Sequence, residues 1–124
     1  GWITFGGQIE EKTAVNLVHA AYARGVNFFD HADVNAGGQA EVVMGKAMKG
    51  IPREGVVLSS KVFFPTFPGP NGRGLSRKHI FESVHASLKR LKTDYLDLYY
   101  CQGFDPDTPY EEVVYAMNTL MQQG

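Results

Sequence analysis

The sequence predicts an α/β fold in which four βα units build a parallel four-stranded sheet. Runs of β-branched and aromatic residues alternate four times with stretches of helical period, as in chains that form parallel sheets. The chain has 124 residues, of which 44% are hydrophobic and 20% charged, so its size and composition fit one globular domain. We therefore expect a single domain over residues 1–124.

The first two units lie before residue 50. Residues 2–5 (WITF) predict a strand. The apolar residues of segment 12–23 recur at the three- and four-residue spacing of a helix, which Gly25 then ends. The sequence VNFFD at residues 26–30 predicts the second strand, and residues 40–48 predict the second helix after a glycine-containing turn.

The third and fourth units follow the same pattern. Residues 55–64 contain the third strand, VVLSSKVFF, and the Pro- and Gly-rich residues 65–74 predict a functional loop. Ser76 is placed to cap the next helix, which carries an apolar stripe. Residues 95–101 predict the fourth strand. The sequence TPYE at residues 108–111 predicts a capping box with proline at the first position of the last helix.

Charge and cysteine content exclude several classes of protein. Twelve Lys and Arg stand against 13 Asp and Glu, giving a net charge of −1, so we expect neither a nucleic-acid partner nor an anionic membrane surface. No apolar run reaches the roughly 20 residues of a membrane span, and the start of the chain lacks the pattern of a signal peptide. With Cys101 as its single cysteine, the chain cannot form an internal disulfide, and we predict a cytoplasmic location.

Four βα units leave two architectures open. A closed (βα)8 barrel needs eight strands and about 250 residues, so this chain would form half of one, with two unpaired sheet edges and an open inner wall. A two-fold dimer around the barrel axis, or a missing second half, would complete it. The alternative is a doubly wound sheet with helices on both faces. Periodicity alone does not separate these two.

The strand ends carry the first candidate site residues. Asp30 ends the second predicted strand and Lys61 lies late in the third, so both come to the carboxyl edge of a parallel sheet, where α/β proteins usually place their sites. Such a pair can lower the pKa of a neighbouring hydroxyl or hold a cofactor, or it can be a structural ion pair. His31 and Asp33 have a spacing found in metal sites, but no third ligand converges on them, so we predict no metal site.

Five segments carry a resemblance to a known family. In chain order they read GWITFGGQI, VNFFDHADVNAGGQAEVVMGKAM, SSKVFF, GLSRKHIFESVHASLKRLKTDYLDLYY and DPDTPYEEVVYAM. Together they resemble the aldo-keto reductases, especially the branch that contains the potassium-channel β subunits. The resemblance implies a TIM-type barrel, of which this chain corresponds to the first four βα units, with the helices on the outer face of the sheet.

The resemblance also implies a reaction and its residues. The family reduces carbonyl compounds with NADP(H), using an Asp, a Tyr acid, a Lys that tunes the Tyr, and a His that orients the carbonyl oxygen. Asp30 and Lys61 match the Asp and the Lys. Asn35 stands at the Tyr position, Gln102 stands at the His position, and Trp2 resembles an aromatic residue of the substrate pocket.

These substitutions lead to two hypotheses. Gln102 can still donate a hydrogen bond to a carbonyl oxygen, but Asn35 is no practical acid near neutral pH, and losing a general acid costs about 10²–10⁴ in rate. We expect Tyr100, one pleat deeper than Gln102, to pack in the core rather than to replace the acid. The first hypothesis is NADP(H)-dependent reduction of a small carbonyl substrate.

The second hypothesis is a non-catalytic half-barrel scaffold that associates with a second copy or with the missing half. In the family, the main nicotinamide and phosphate contacts lie in the second half of the barrel. The chain also contains no G-x-G-x-x-G sequence that could replace them. We therefore expect a lone copy to bind NADP(H) poorly.

Overall fold

The computed structural model describes residues 4–124, and its described strands form one parallel sheet. The strands are β1 (Phe28–Asp30), β2 (Val57–Val62) and β3 (Leu98–Cys101), in the order β1-β2-β3. In the register of the sheet, Asp30 lies opposite Ser59 and Lys61 lies opposite Tyr100. Because both pairings are parallel, the three strands end at the same edge of the sheet.

Four α-helices accompany the sheet: α1 (Glu11–Ala23), α2 (Gln39–Ala47), α3 (Arg77–Leu91) and α4 (Tyr110–Gln123). The Ser76 hydroxyl caps α3 by accepting a hydrogen bond from the backbone N–H of His79, as predicted. In the described part of the chain, no helix combines the length and hydropathy that crossing a bilayer requires.

Within residues 4–124, the helices cover one face of the sheet and leave the other face open. Successive side chains of a strand point to opposite faces. Phe29 and Leu58, on the outer face, are fully buried, whereas Phe28 and Leu98, on the inner face, are 46% and 40% exposed. This arrangement is that of a partial TIM-type barrel, as the resemblance implied, and it sets the doubly wound alternative aside.

The described sheet has three strands rather than four. The first two residues of the predicted first strand, residues 2–5, lie outside the described residues. The described end of this predicted strand is a turn at Thr4 and a single bridge between Phe5 and Ile9. The predicted third strand is β2 of the structure, and it is shorter than predicted. It ends at Val62, before the two phenylalanines that continue the apolar run.

The predicted capping box of the last helix is wrong. Helix α4 begins at Tyr110 with Pro109 in the capping position, and no side chain caps it. The Thr108 hydroxyl donates instead to Asp105 Oδ2 at 2.8 Å. A carboxylate accepts a stronger hydrogen bond than a neutral group does. The preceding loop therefore binds the hydroxyl that the sequence pattern assigned to the helix.

Helices α2 and α3 cross closely over the outer face of the sheet. The crossing depends on Gly45, because a Cβ at this position would lie 2.3 Å from the carbonyl oxygen of Arg90. The apolar core beneath the helices includes Phe29, Met44 and Leu91. Packing of the helices on the outer face thus holds the strands in place, and with them the carboxyl edge of the sheet.

Candidate active site

The carboxyl edge of the sheet holds Asp30 and Lys61 in direct contact. Asp30 ends β1, and Lys61 lies in β2 two residues beyond the position opposite Asp30, on the same inner face. Lys61 Nζ donates to Asp30 Oδ1 at 2.5 Å and to the carbonyl oxygen of His31 at 2.7 Å. Two of the three ammonium protons are therefore engaged, and the side chain is held in one direction.

Ser59 is a site residue that the sequence analysis missed. Its hydroxyl donates to Asp30 Oδ1 at 2.6 Å, so this oxygen accepts two hydrogen bonds. Burial alone would raise the pKa of Asp30, but the hydrogen bonds from Lys61 and Ser59 outweigh it and hold the pKa below its usual range. The alternation of side chains along a strand could have predicted Ser59 as a site residue, since Ser59 and Lys61 are two residues apart and share one face.

His31 supports the same edge from the buried side of β1. Its ring is fully buried, and Nδ1 donates to the carbonyl oxygen of Ser59 at 3.2 Å. Burial lowers the pKa of His31, so the ring is neutral near pH 7. The Asp33 carboxylate turns away and accepts a hydrogen bond from the Ser83 hydroxyl at 2.6 Å. His31 and Asp33 thus serve different partners despite their metal-like spacing.

Asn35 and Gln102 lie near the same edge without joining the pair. Asn35 begins a short 3-10 turn that follows β1, and its backbone N–H donates to the carbonyl oxygen of Ala32 at 3.1 Å. Gln102 directly follows β3, where its backbone N–H continues the ladder to the carbonyl oxygen of Val62 at 2.9 Å. Trp2, the predicted pocket aromatic, lies outside the described residues.

The prediction that Tyr100 packs in the core is wrong. Its side chain lies on the uncovered inner face and is 41% exposed. The Nζ atom of Lys61 lies 5.8 Å from the centroid of the Tyr100 ring. Alternation along the strand placed this residue on the correct face, but that face is not covered by any described element.

A buried polar cluster lies on the other side of the sheet, between β2, α2 and α3. The Glu41 side chain is fully buried and accepts hydrogen bonds from Ser60 Oγ at 2.5 Å and from Arg90 Nε at 2.7 Å. Burial raises the pKa of the neighbouring Asp33. The sequence analysis missed this cluster. Its signal was the serine spacing of α3, where Ser83 and Ser87 interrupt the apolar stripe.

NADP(H) is the cofactor that the resemblance implies, and the described residues that could hold its reactive end lie at the carboxyl edge of the sheet. The Asp30–Lys61 pair and the side-chain amide of Gln102 are charged and hydrogen-bonding groups at this edge. Two cations at the start of α3 are engaged elsewhere. The Arg77 guanidinium lies 4.5 Å from the centroid of the Phe81 ring, and Lys78 pairs with a glutamate of the same helix. Arg77 and Lys78 thus already have partners within the described part of the chain.

The comparison with known proteins identifies the class to which this fold and edge belong. The model of the aldo/keto reductase family matches residues 1–124. The chain belongs to this family, as the resemblance indicated.

Two curated relatives are similar to this chain over nearly its whole length. The chain is 49% identical over 125 residues to a probable voltage-gated potassium channel subunit beta of Arabidopsis thaliana, and 50% identical over 125 residues to one of Oryza sativa subsp. japonica. In each case the match covers 99% of this chain and 38% of the relative. The chain thus spans little more than a third of the length of these relatives.

A solved structure supports the fold independently. The crystal structure of a thermostable aldo-keto reductase in complex with the inhibitor epalrestat superposes with a TM-score of 0.81 at 36% identity. The superposition covers 92% of this chain and 39% of that chain. The sheet and helices described above therefore correspond to part of an aldo-keto reductase barrel.

Proposed function

We propose that this chain supplies part of the active site of an NADP(H)-dependent carbonyl reductase. The observation that carries the proposal is the Asp30–Lys61 contact at the carboxyl edge of the sheet, with Lys61 Nζ 2.5 Å from Asp30 Oδ1. Membership of the aldo/keto reductase family supports a reductase-type function for the residues at this edge. Because the chain spans 38% of its curated relatives, the complete site requires the rest of a barrel.

Each side chain has a separate task in this proposal. Asp30 and the His31 carbonyl oxygen orient the Lys61 ammonium, which keeps one proton for a hydrogen bond to a substrate carbonyl oxygen. The Gln102 amide can donate a second hydrogen bond to that oxygen, and Asn35 can donate one without releasing a proton. When bound, the reduced nicotinamide would supply the hydride. The positive charge of Lys61 would stabilise the negative charge that develops on the oxygen.

The first test measures cofactor binding and turnover together. NADPH binding is followed by fluorescence titration, and aldehyde-dependent loss of NADPH absorbance is followed with 4-nitrobenzaldehyde as the probe. We expect Lys61→Met to abolish turnover, because it removes the charge beside the carbonyl oxygen. Lys46→Met is the matched control, since Lys46 forms an exposed ion pair with Glu11 on the helical side. Because the complete site requires the rest of a barrel, the assay uses protein in which the barrel is complete. Such protein that neither binds NADPH nor consumes it would contradict the proposal.

A gain-of-function variant tests the missing acid directly. The double variant Asn35→Tyr, Gln102→His places at both positions the residue types that the family resemblance implies. Because a positioned general acid contributes about 10²–10⁴ in rate, turnover should rise by a factor of that order. Unchanged turnover, with NADPH binding intact, would show that this edge does not carry the reaction.

A second candidate function is a self-associating half-barrel scaffold. It is favoured by the inner face of the sheet, which no described element covers. Phe28 and Leu98 expose apolar surface there that a second copy could bury. Gel filtration with light scattering should then show a dimer that Phe28→Lys dissociates. Val114→Lys, which changes a similarly exposed position on α4, should leave it intact. A monomer at all concentrations would reject this candidate.

The cytoplasmic location indicated by the single Cys101 stays a prediction.

A further inference from the structure

We propose that Ser83 is a positioning residue, which holds Asn35 at the candidate active site through a hydrogen bond to Asp33. The inference rests on the carbonyl reduction proposed above, in which the Asn35 amide donates a hydrogen bond to the substrate oxygen. It concerns the β1–α2 segment, residues 31–38, which joins the first strand to the second helix. Asp33 and Asn35 lie in this segment, whereas Ser83 lies on α3, 50 residues beyond Asp33.

The β1–α2 segment has a backbone conformation that needs support from outside the segment. Ala36 has φ 51° and ψ 38°, and the two glycines after it also have positive φ angles. A left-handed conformation brings the Cβ of an alanine close to the following carbonyl oxygen, so it persists only where the surroundings enforce it. The backbone N–H groups of Asn35 and Gly37 donate to carbonyl oxygens three residues earlier, at 3.1 and 3.0 Å. These bonds shape the turn but do not tie it to another element.

Two side chains of α3 contact the β1–α2 segment, one on each side of the strained turn. The Ser83 hydroxyl donates to Asp33 Oδ2 at 2.6 Å. At the other end Arg90 passes over Gly38, since a Cβ on this glycine would lie 3.3 Å from Cδ and Nε of Arg90. Arg90 is itself held by the buried Glu41 carboxylate, 2.7 Å from Nε. The turn that carries the Asn35 amide therefore lies between two contacts with the same helix.

The contact between Ser83 and Asp33 is buried within the chain. Both side chains are buried, and the other carboxyl oxygen of Asp33, Oδ1, has no hydrogen-bond partner among residues 4–124. Without the Ser83 hydroxyl, the Asp33 carboxyl would be buried with no side-chain donor from the described residues. The described elements themselves bury both groups, so the contact does not depend on what covers the inner face of the sheet.

Loss of this contact should release the β1–α2 segment and displace Asn35. The strained turn would relax, and the Asn35 amide would spend less time within hydrogen-bond reach of the substrate oxygen. A donor that is not held in place stabilises developing charge less well. Asp30 and Lys61 are held by their own contact, so this pair should stay intact. The effect should therefore fall on the donor at residue 35.

The first test is amide hydrogen exchange in protein with a complete barrel, because it requires no turnover. Ser83→Ala is compared with Ser87→Ala, which removes the hydroxyl of another buried serine one turn further along α3. The contact of Ser87 with Arg90 is longer, at 3.3 Å, and lies outside the β1–α2 segment. The Asn35 and Gly37 N–H groups should exchange at least about tenfold faster in Ser83→Ala than in this control, since a buried carboxyl loses its partner.

Two outcomes of the exchange experiment would overturn the inference. The first is equal exchange of the Asn35 and Gly37 N–H groups in Ser83→Ala and in Ser87→Ala. The second is equally faster exchange throughout the chain in Ser83→Ala, because Ser83 would then stabilise the whole fold rather than the β1–α2 segment.

A second variant applies if Ser83→Ala does not fold. The double variant Asp33→Ala, Ser83→Ala removes both partners, so no carboxyl is left buried and unpaired, and replacing both partners can be nearly neutral for stability. It also lacks the contact with α3. The Asn35 and Gly37 N–H groups should again exchange at least about tenfold faster than in Ser87→Ala. Exchange equal to that control would overturn the inference.

Turnover then tests whether Ser83 acts through Asn35. With NADPH and 4-nitrobenzaldehyde, Ser83→Ala should lower kcat about tenfold, the effect of one lost hydrogen bond, while Ser87→Ala should stay near the unmodified value. In an Asn35→Ala background, Ser83→Ala should have no further effect on kcat, because the donor that it positions is gone. An equal fall in both backgrounds would overturn the inference and leave the proposed reductase function standing. Unmodified protein without turnover would contradict the proposed function, whereas the exchange rates would still decide whether Ser83 positions Asn35.

Discussion

The substitution Arg90→Met should be among the most destabilising single changes in this chain. Its partner Glu41 is fully buried and accepts hydrogen bonds from Arg90 at 2.7 Å and from Ser60 at 2.5 Å. Removing one partner of a buried ion pair typically costs about 3–5 kcal/mol, because the other charge stays buried without compensation. Since the Arg90 side chain is 27% exposed and Ser60 still donates, we expect about 3 kcal/mol.

The assay compares two matched variants by urea unfolding and by thermal unfolding followed with circular dichroism. A loss of about 3 kcal/mol lowers the midpoint temperature of a domain of this size by about 10–15 °C. Lys78→Met is the control. It also removes a cation from α3, but one paired with Glu82 on the surface, where such pairs contribute about 0–1 kcal/mol. Methionine has a helix propensity close to that of lysine and arginine. If Arg90→Met unfolds at the same midpoint as Lys78→Met, the argument from the buried cluster fails.

Three further changes test other parts of the structure. Gly45→Ala should lower the free energy of unfolding by about 1–3 kcal/mol in urea denaturation, because its Cβ would lie 2.3 Å from the Arg90 carbonyl oxygen. Ser76→Ala should cost about 1 kcal/mol in the same assay as α3 loses its cap, whereas Thr108→Ala should not affect α4 through capping. The lowered pKa of Asp30 contributes stability that is present above the unfolded-state pKa and is lost as the pH falls through the folded-state pKa. Unfolding measured from about pH 6 down to about pH 2 should therefore show a smaller acid-induced loss of stability in Asp30→Asn than in the unmodified protein.

Local patterns in the sequence were sufficient to predict the helices and the edge that carries the candidate site. Helices and strands have side-chain periods of about 3.6 and 2 residues, which can be read from a few neighbouring residues. The ends of parallel strands meet at one edge, so Asp30 and Lys61 could be placed together before their contact was seen. The Ser76 cap followed from its position before a helical stripe.

Only the tertiary structure decided which of these residues are buried and which groups they contact. Alternation put Tyr100 on the same strand face as Gln102, but only the tertiary structure showed that no described element covers this face. Thr108 looked like a helix cap until the Asp105 carboxylate bound its hydroxyl. Glu41 and Arg90 are 49 residues apart, and no local period links them. Burial and hydrogen-bond partners depend on residues distant along the chain, whereas periodicity depends only on neighbours.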